Sequence, residues 1–187
     1  MMDLQTMLNN AMAANRATEM LTSDQLTLGE LMLKLEAVKN KDLPIYFDNT
    51  KKQPTGLDSW RGSYRELSIN YKDGGACYEQ AKPDCKRDEF GDHAYNCPCG
   101  GSKEIDTTLP KNPTANDLLE KLKLINGKYV VGYKGGDFTM GKTTPLWVAS
   151  YGSSAGYKTN KDYSSMAVVD IKELETKVII VTKLKEY

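Results

Sequence analysis

Apolar residues recur at helical spacing in three stretches of the chain. In residues 3–20, Leu4, Met7, Leu8, Ala11 and Met12 share one face, with Asn and Thr on the other. A second stripe, Leu28, Leu31, Leu35 and Val38, follows Thr27 and Glu30. That threonine–glutamate spacing is a capping box, in which side chains satisfy the orphan amides of a helix start. A third stripe, Leu118, Leu122 and Ile125, follows Thr114 and Asp117 in the same way, and Gly127 stands where a helix ends. Residues 40–44 break the second helix at Pro44.

Between and after these helices the period shortens to two. Strands are expected at Ile45–Phe47 and at residues 66–71, 129–133, 146–151, 167–171 and 177–184. Leu67, Ile69 and Tyr71 form one face of the second of these, and the polar break at 172–176 reads as a hairpin connection between the last two. The shared string T-x-x-[ED]-L-x-x-K-L, each time followed by a strand, suggests an internal helix–strand duplication. The expected class is α+β: a mostly antiparallel sheet of five or six strands with two covering helices. Residues 1–22 would be an N-terminal helical arm, and 23–187 a single domain with an irregular insertion at 72–113.

Charge narrows the function classes. Lys and Arg number 25, and so do Asp and Glu, so the net charge is zero. A nucleic-acid binder carries a basic footprint, which argues against that partner. No apolar run reaches the roughly 20 residues needed to span a bilayer. No basic segment followed by an apolar core opens the chain, so a cytoplasmic setting with reduced thiols is expected.

The insertion holds all four cysteines. Cys77, Cys85, Cys97 and Cys99 fall in the spacing C-x7-C-x11-C-x-C, with the lone histidine, His93, among them. Clustered cysteines in a reducing compartment favour a metal over disulfides, and four sulfur ligands would make a closed, structural zinc site. Free or oxidised thiols are the other reading.

Two further segments could carry chemistry. Gly136, Gly141, Lys142 and Thr143 match the phosphate-loop pattern G-x-x-x-x-G-K-[ST]. A working phosphate loop needs a helix next, to aim its amides at phosphate, whereas Thr144-Pro145-Leu146-Trp147-Val148 reads as a turn and strand. A glycine turn is therefore expected there instead. In residues 54–64, Trp60 offers a stacking face, Arg61 can bind a phosphate or carboxylate bidentately, and Tyr64 stands close in sequence. With Lys134 and the backbone of Gly135 and Gly136 they make a candidate anion site. A purely structural pairing of Asp58 with Arg61, and of Trp60 with the core edge, explains the same residues.

The strings D-S-W-R-G-S-Y at 58–64 and G-Y-K-G-G-D-F-T-M…T-P-L-W-V-A-S-Y-G at 132–152 resemble the signature of small accessory proteins of tailed bacteriophages, with T-L-G-E-L at 27–31 as the helix opening. The resemblance covers about residues 26–72 and 114–183; the methionine-rich arm, the cysteine segment and Gly141-Lys142 depart from it. It implies a viral protein acting in the host cytoplasm, with no settled activity. Three functions follow: a non-enzymatic binder that inhibits or redirects a host protein, such as a defence component; a small-ligand or nucleotide-sequestering protein; and, ranked last, a phosphate-loop hydrolase. Methionine adapts to irregular contacts, so Met1, Met2, Met7, Met12 and Met20 could serve the first function. An exposed strand edge makes a homodimer compatible with this reading.

Overall fold

In the computed structural model, which describes residues 24–48, 51–59, 66–72, 75–80, 102–131, 138–149 and 166–184, both capping boxes form. Helix α1 spans Leu28–Ala37 and helix α2 spans Ala115–Ile125. The Thr27 amide donates to Glu30 Oε2 at 2.8 Å, and the Thr114 amide donates to Asp117 Oδ2 at 2.8 Å. Gly127, just past α2, has φ 84°, the left-handed conformation that closes a helix with least strain in glycine. At 10 and 11 residues, helices this short are marginal alone. Burial holds them: Leu28, Leu31, Leu35, Leu118, Leu122 and Ile125 are fully enclosed, each contributing about 1.5–3 kcal/mol. The helix expected over residues 3–20 lies outside the described residues.

The described strands are β1 Ile45–Phe47, β2 Gly56–Asp58, β3 Leu67–Asn70, β4 Ala76–Gln80, β5 Ser102–Asp106, β6 Tyr129–Val130, β7 Phe138–Thr139, β8 Leu146–Ala149, β9 Met166–Glu173 and β10 Val178–Leu184. They form a six-stranded sheet, β1-β10-β9-β8-β3-β2, and a four-stranded sheet, β5-β4-β6-β7. The class is α+β and mostly antiparallel, with two parallel pairs, β1 with β10 and β3 with β8. Two expectations need correction. The stretch 72–113 is not irregular throughout, because β4 and β5 pair antiparallel within it from Ala76↔Asp106 to Gln80↔Ser102. Its strands were hidden by short, polar β5, whose residues are mostly exposed. The second correction concerns the repeat: the counterpart of β1 is β8, and the β6–β7 hairpin intervenes after α2.

The repeat is visible in matched hydrogen bonds. In the first half, the amides of Leu28 and Gly29 at the start of α1 donate to the carbonyls of Thr144 and Lys142, one and three residues before Pro145. In the second half, the amides of Ala115 and Asn116 at the start of α2 donate to the carbonyls of Leu43 and Lys41, one and three residues before Pro44. Each strand lead answers in the same way: Leu146 N donates to Leu26 O, and Ile45 N donates to Pro113 O, both at 3.0 Å. Thr27 bridges Pro145, and Thr114 bridges Pro44. Each helix start therefore docks on the strand lead of the other half. The two parallel pairs cross in the same sense, since β1 joins β10 and β8 joins β3.

The open edges of the larger sheet, β1 and β2, are bridged by one segment. Thr107 O accepts from Leu57 N, and Leu109 N donates to Thr55 O, along β2. Four residues on, Pro113 O takes the Ile45 amide of β1, while Lys52 O takes the amide of Phe47. Those edge donors are thus satisfied within the chain.

Two outcomes follow from the reciprocal docking. A Cβ added at Gly29 would lie 2.9 Å from Lys142 Cβ and 3.0 Å from Lys142 O. Gly29→Ala should therefore lower stability in urea unfolding by about 1 kcal/mol or more, where an open helix site would gain about that much. Cutting the chain between residues 90 and 91 should give two fragments that are unfolded separately and regain native circular dichroism when mixed, because each half supplies the other's helix dock and parallel strand partner.

Candidate functional site

On β3, Leu67 and Ile69 face the core, which turns Ser68 and Asn70 to the other side of the sheet. Cross-strand register extends this polar face. Asp58 pairs with Ser68, Ser68 with Trp147, and Trp147 with Ala167, so one row crosses β2, β3, β8 and β9. A second row carries Gly56, Asn70 and Ala149. An alternating strand ordinarily leaves its polar side in water. Here that side is enclosed: Asp58, Ser68 and Trp147 are each at most 6% exposed.

Enclosed polar atoms need partners, and most have them. Ser68 Oγ donates to the Asp58 carbonyl at 2.9 Å and lies 3.3 Å from Asn70 Oδ1. Asp58, Asn70 and the neighbouring Glu66 are each engaged by a further group. Trp147 Nε1 and Ser59 Oγ are enclosed and have no hydrogen-bond partner among the described residues. A buried donor left unmet costs about 1–3 kcal/mol.

The six residues expected to bind an anion, Trp60, Arg61, Tyr64, Lys134, Gly135 and Gly136, lie outside the described residues. Their anchors do not. Residues 60–65 leave from Ser59 at the end of β2 and return at Glu66, and 132–137 leave from Val131 and return at Phe138. Both departures meet β4: Cys77 lies against Leu57 of β2 and beside Ser59, and Val131 N donates to Tyr78 O at 2.8 Å. The anchors Ser59 and Val131 thus lie beside neighbouring positions of β4, and Ser59 stands at the edge of the polar face.

Of the four cysteines only Cys77 is described. It sits fully buried in the core, with Sγ 3.9 Å from Leu57 O and 4.0 Å from Thr107 Oγ1, while Thr107 Oγ1 also donates to Leu57 O. Burial, helped by the Asp58 charge, pushes its thiol up to about 11 against the opposing effect of Ser59 and Thr107. Ser59 eases this shift by its nearness, although its Oγ meets no partner in hydrogen-bond geometry. A zinc ligand is a thiolate, whereas without a metal the buried Cys77 favours its neutral thiol. Cys85, Cys97 and Cys99 lie outside the described residues.

The phosphate-loop match leads into β8, as its sequence surroundings suggested. Lys142 and Thr143 are exposed in a turn, Gly141 N donates to Thr144 Oγ1 at 3.1 Å, and strand β8 begins at Leu146. The helix starts nearby have no amide to offer an anion. The first two amides of α1 go to Thr144 and Lys142, and the third goes to Thr27 Oγ1. The corresponding amides of α2 are taken likewise.

Sequence reading missed Ser68, Asn70 and Trp147 because a polar alternate on a strand looks the same whether water or protein lies above it. The one available signal was Trp147 itself, a large aromatic in phase with those polar positions.

The neutral form of Cys77 is favoured in the folded chain, so its contribution to stability is complete below pH 9.0 and is lost as pH rises toward about 11. Urea unfolding across that range should show a loss that Cys77→Ala reduces, and iodoacetamide at pH 8 should modify Cys77 in urea but not in the native chain.

Set beside protein-family models, curated proteins and solved structures, the chain matches none of them.

Proposed function

We propose that this chain is a non-catalytic phage accessory protein that binds and sequesters a small polar ligand at the polar face of β2, β3 and β8. The observation that carries the reading is the enclosed indole N–H of Trp147, unpartnered among the described residues and in one row with Ser68 and Asp58. A ligand acceptor at that atom would relieve the desolvation cost and give the site orientation. Trp60, Arg61 and Tyr64, which follow directly from Ser59, would add a stacking face and an anion contact, and Lys134 with Gly135 and Gly136 a second one. A nucleotide combines hydroxyls, a planar ring and phosphate, and suits that set.

Calorimetric titration with a panel of mono-, di- and cyclic nucleotides tests this. Trp147→Phe removes the unmet donor together with part of a buried ring, so relief of the donor is outweighed by the cavity and the ligand-free variant should stay folded but be about 1–3 kcal/mol less stable than the parent. Its affinity for the ligand should fall about tenfold or more, and Arg61→Ala should abolish binding. A panel without any binder, or a Trp147→Phe variant that binds as the parent does, overturns the reading. Capture of a host protein then takes its place if a lysate yields one stoichiometric partner whose retention needs residues 1–22.

Zinc on the cysteine cluster is a separate proposal. About one zinc per chain in the purified, reduced protein supports it, with Cys97→Ser as the ligand variant that loses the metal, and no zinc ends it.

A further inference from the structure

The internal repeat gives Trp147 a counterpart. Trp147 is the second residue after Pro145, and Tyr46 is the second after Pro44. Trp147 pairs with Ser68 across the β8–β3 parallel pair, and Tyr46 pairs with Ile179 across the β1–β10 parallel pair. The row beside Tyr46 is not enclosed. A groove of about 850 Å³ opens there, with Pro44, Phe47 and Ile179 among its lining and Lys51 and Lys177 beside Tyr46. That volume falls within the roughly 300–1,000 Å³ of small-molecule sites.

We propose that this groove is a second ligand site, for a small molecule that joins a planar ring to an anionic group, of the nucleoside monophosphate class. Its charge favours an anion. Lys51 and Lys177 are exposed and form no ion pair among the described residues. The one carboxylate in the lining, Asp48, is turned to β10, where it accepts from Thr182 N at 3.0 Å and Thr182 Oγ1 at 2.7 Å. Lys177 Nζ stands 5.9 Å from the centre of the Tyr46 ring, so ring and ammonium can meet one ligand together. A peptide strand fits less well, because the outward amides of Ile45 and Phe47 already donate to Pro113 O and Lys52 O. Apolar walls, a phenol ring and two ammoniums select a flat body with a charged end.

The site does not depend on the function proposed above, and titration of the full chain separates the two. Adenosine monophosphate should bind saturably, monitored by backbone amide shifts of Tyr46 and Lys177, with adenosine and inorganic phosphate each at least about tenfold weaker. Lys177→Met and Lys51→Met should each weaken the nucleotide by about tenfold, Tyr46→Leu should weaken it several-fold, and Lys103→Met, a control on β5 of the other sheet, should leave it unchanged. Trp147→Phe and Arg61→Ala should not alter binding here. No saturable shift at Tyr46 and Lys177, equal losses from Lys177→Met and Lys103→Met, or loss through Trp147→Phe alone would overturn the site. Phosphate binding as tightly as the nucleotide would overturn the role of the ring.

Discussion

The structure depends on an exchange of backbone hydrogen bonds between its two halves. A helix start exposes amides that need acceptors, and a strand lead that ends in proline has carbonyls that its own segment does not use. Here each half supplies the other's need. Thr144 and Lys142 receive the first amides of α1, and Leu43 and Lys41 receive those of α2, with Leu26 and Pro113 returning the contact to the strands. The threonine caps then satisfy the next amide of each helix. Because these groups are spent on one another, neither half has a complete hydrogen-bonded core alone, and the parallel pairs β1 with β10 and β3 with β8 follow from the same crossing.

That exchange also bears on function. Lys142 lies in a literal phosphate-loop string, yet its carbonyl holds Gly29 and its segment runs into β8. The first amides of both helices are taken by the other half, so the Lys142 end of the string lies at the seam between the halves. On the outer face of β2, β3 and β8, Ser68, Asn70 and Asp58 are enclosed, and Trp147 keeps a donor unmet among the described residues. Enclosed polarity is costly unless it is matched, which is why it points to chemistry more firmly than the same residues on an open surface. The two halves diverge here. The row that carries Trp147 is closed and polar, whereas the row that carries Tyr46 is open, apolar at its floor and basic at its rim.

Glu173 shows how the same economy works at the other end of α1. Its carboxylate accepts from Lys39 N and Asn40 N just past the helix, and those bonds hold its carboxyl below the usual carboxylate range. Like the caps, this contact joins β9 of the second half to a helix of the first.

Local signals sufficed for the helices. Thr27 with Glu30 and Thr114 with Asp117 define both starts, the apolar stripes define the buried faces, and β1, β3, β8, β9 and β10 stood out by their apolar alternation. The same signals failed where pairing, and not composition, makes the strand: β5 is polar and exposed, and β2 and β7 are two or three residues long. Anion-site expectations at Trp60, Arg61 and Lys134 were drawn from residue types alone, and the fold contributes their anchors at Ser59 and Val131 beside β4. The sequence by itself determined the two capped helices and the repeat, because capping and periodicity act over a few neighbouring residues. Only the tertiary structure decided that each helix docks on the other half, that Ser68 and Asn70 are enclosed, and that Cys77 is buried in the core. Those outcomes depend on hydrogen bonds and burial between residues far apart in the chain, which no local pattern records.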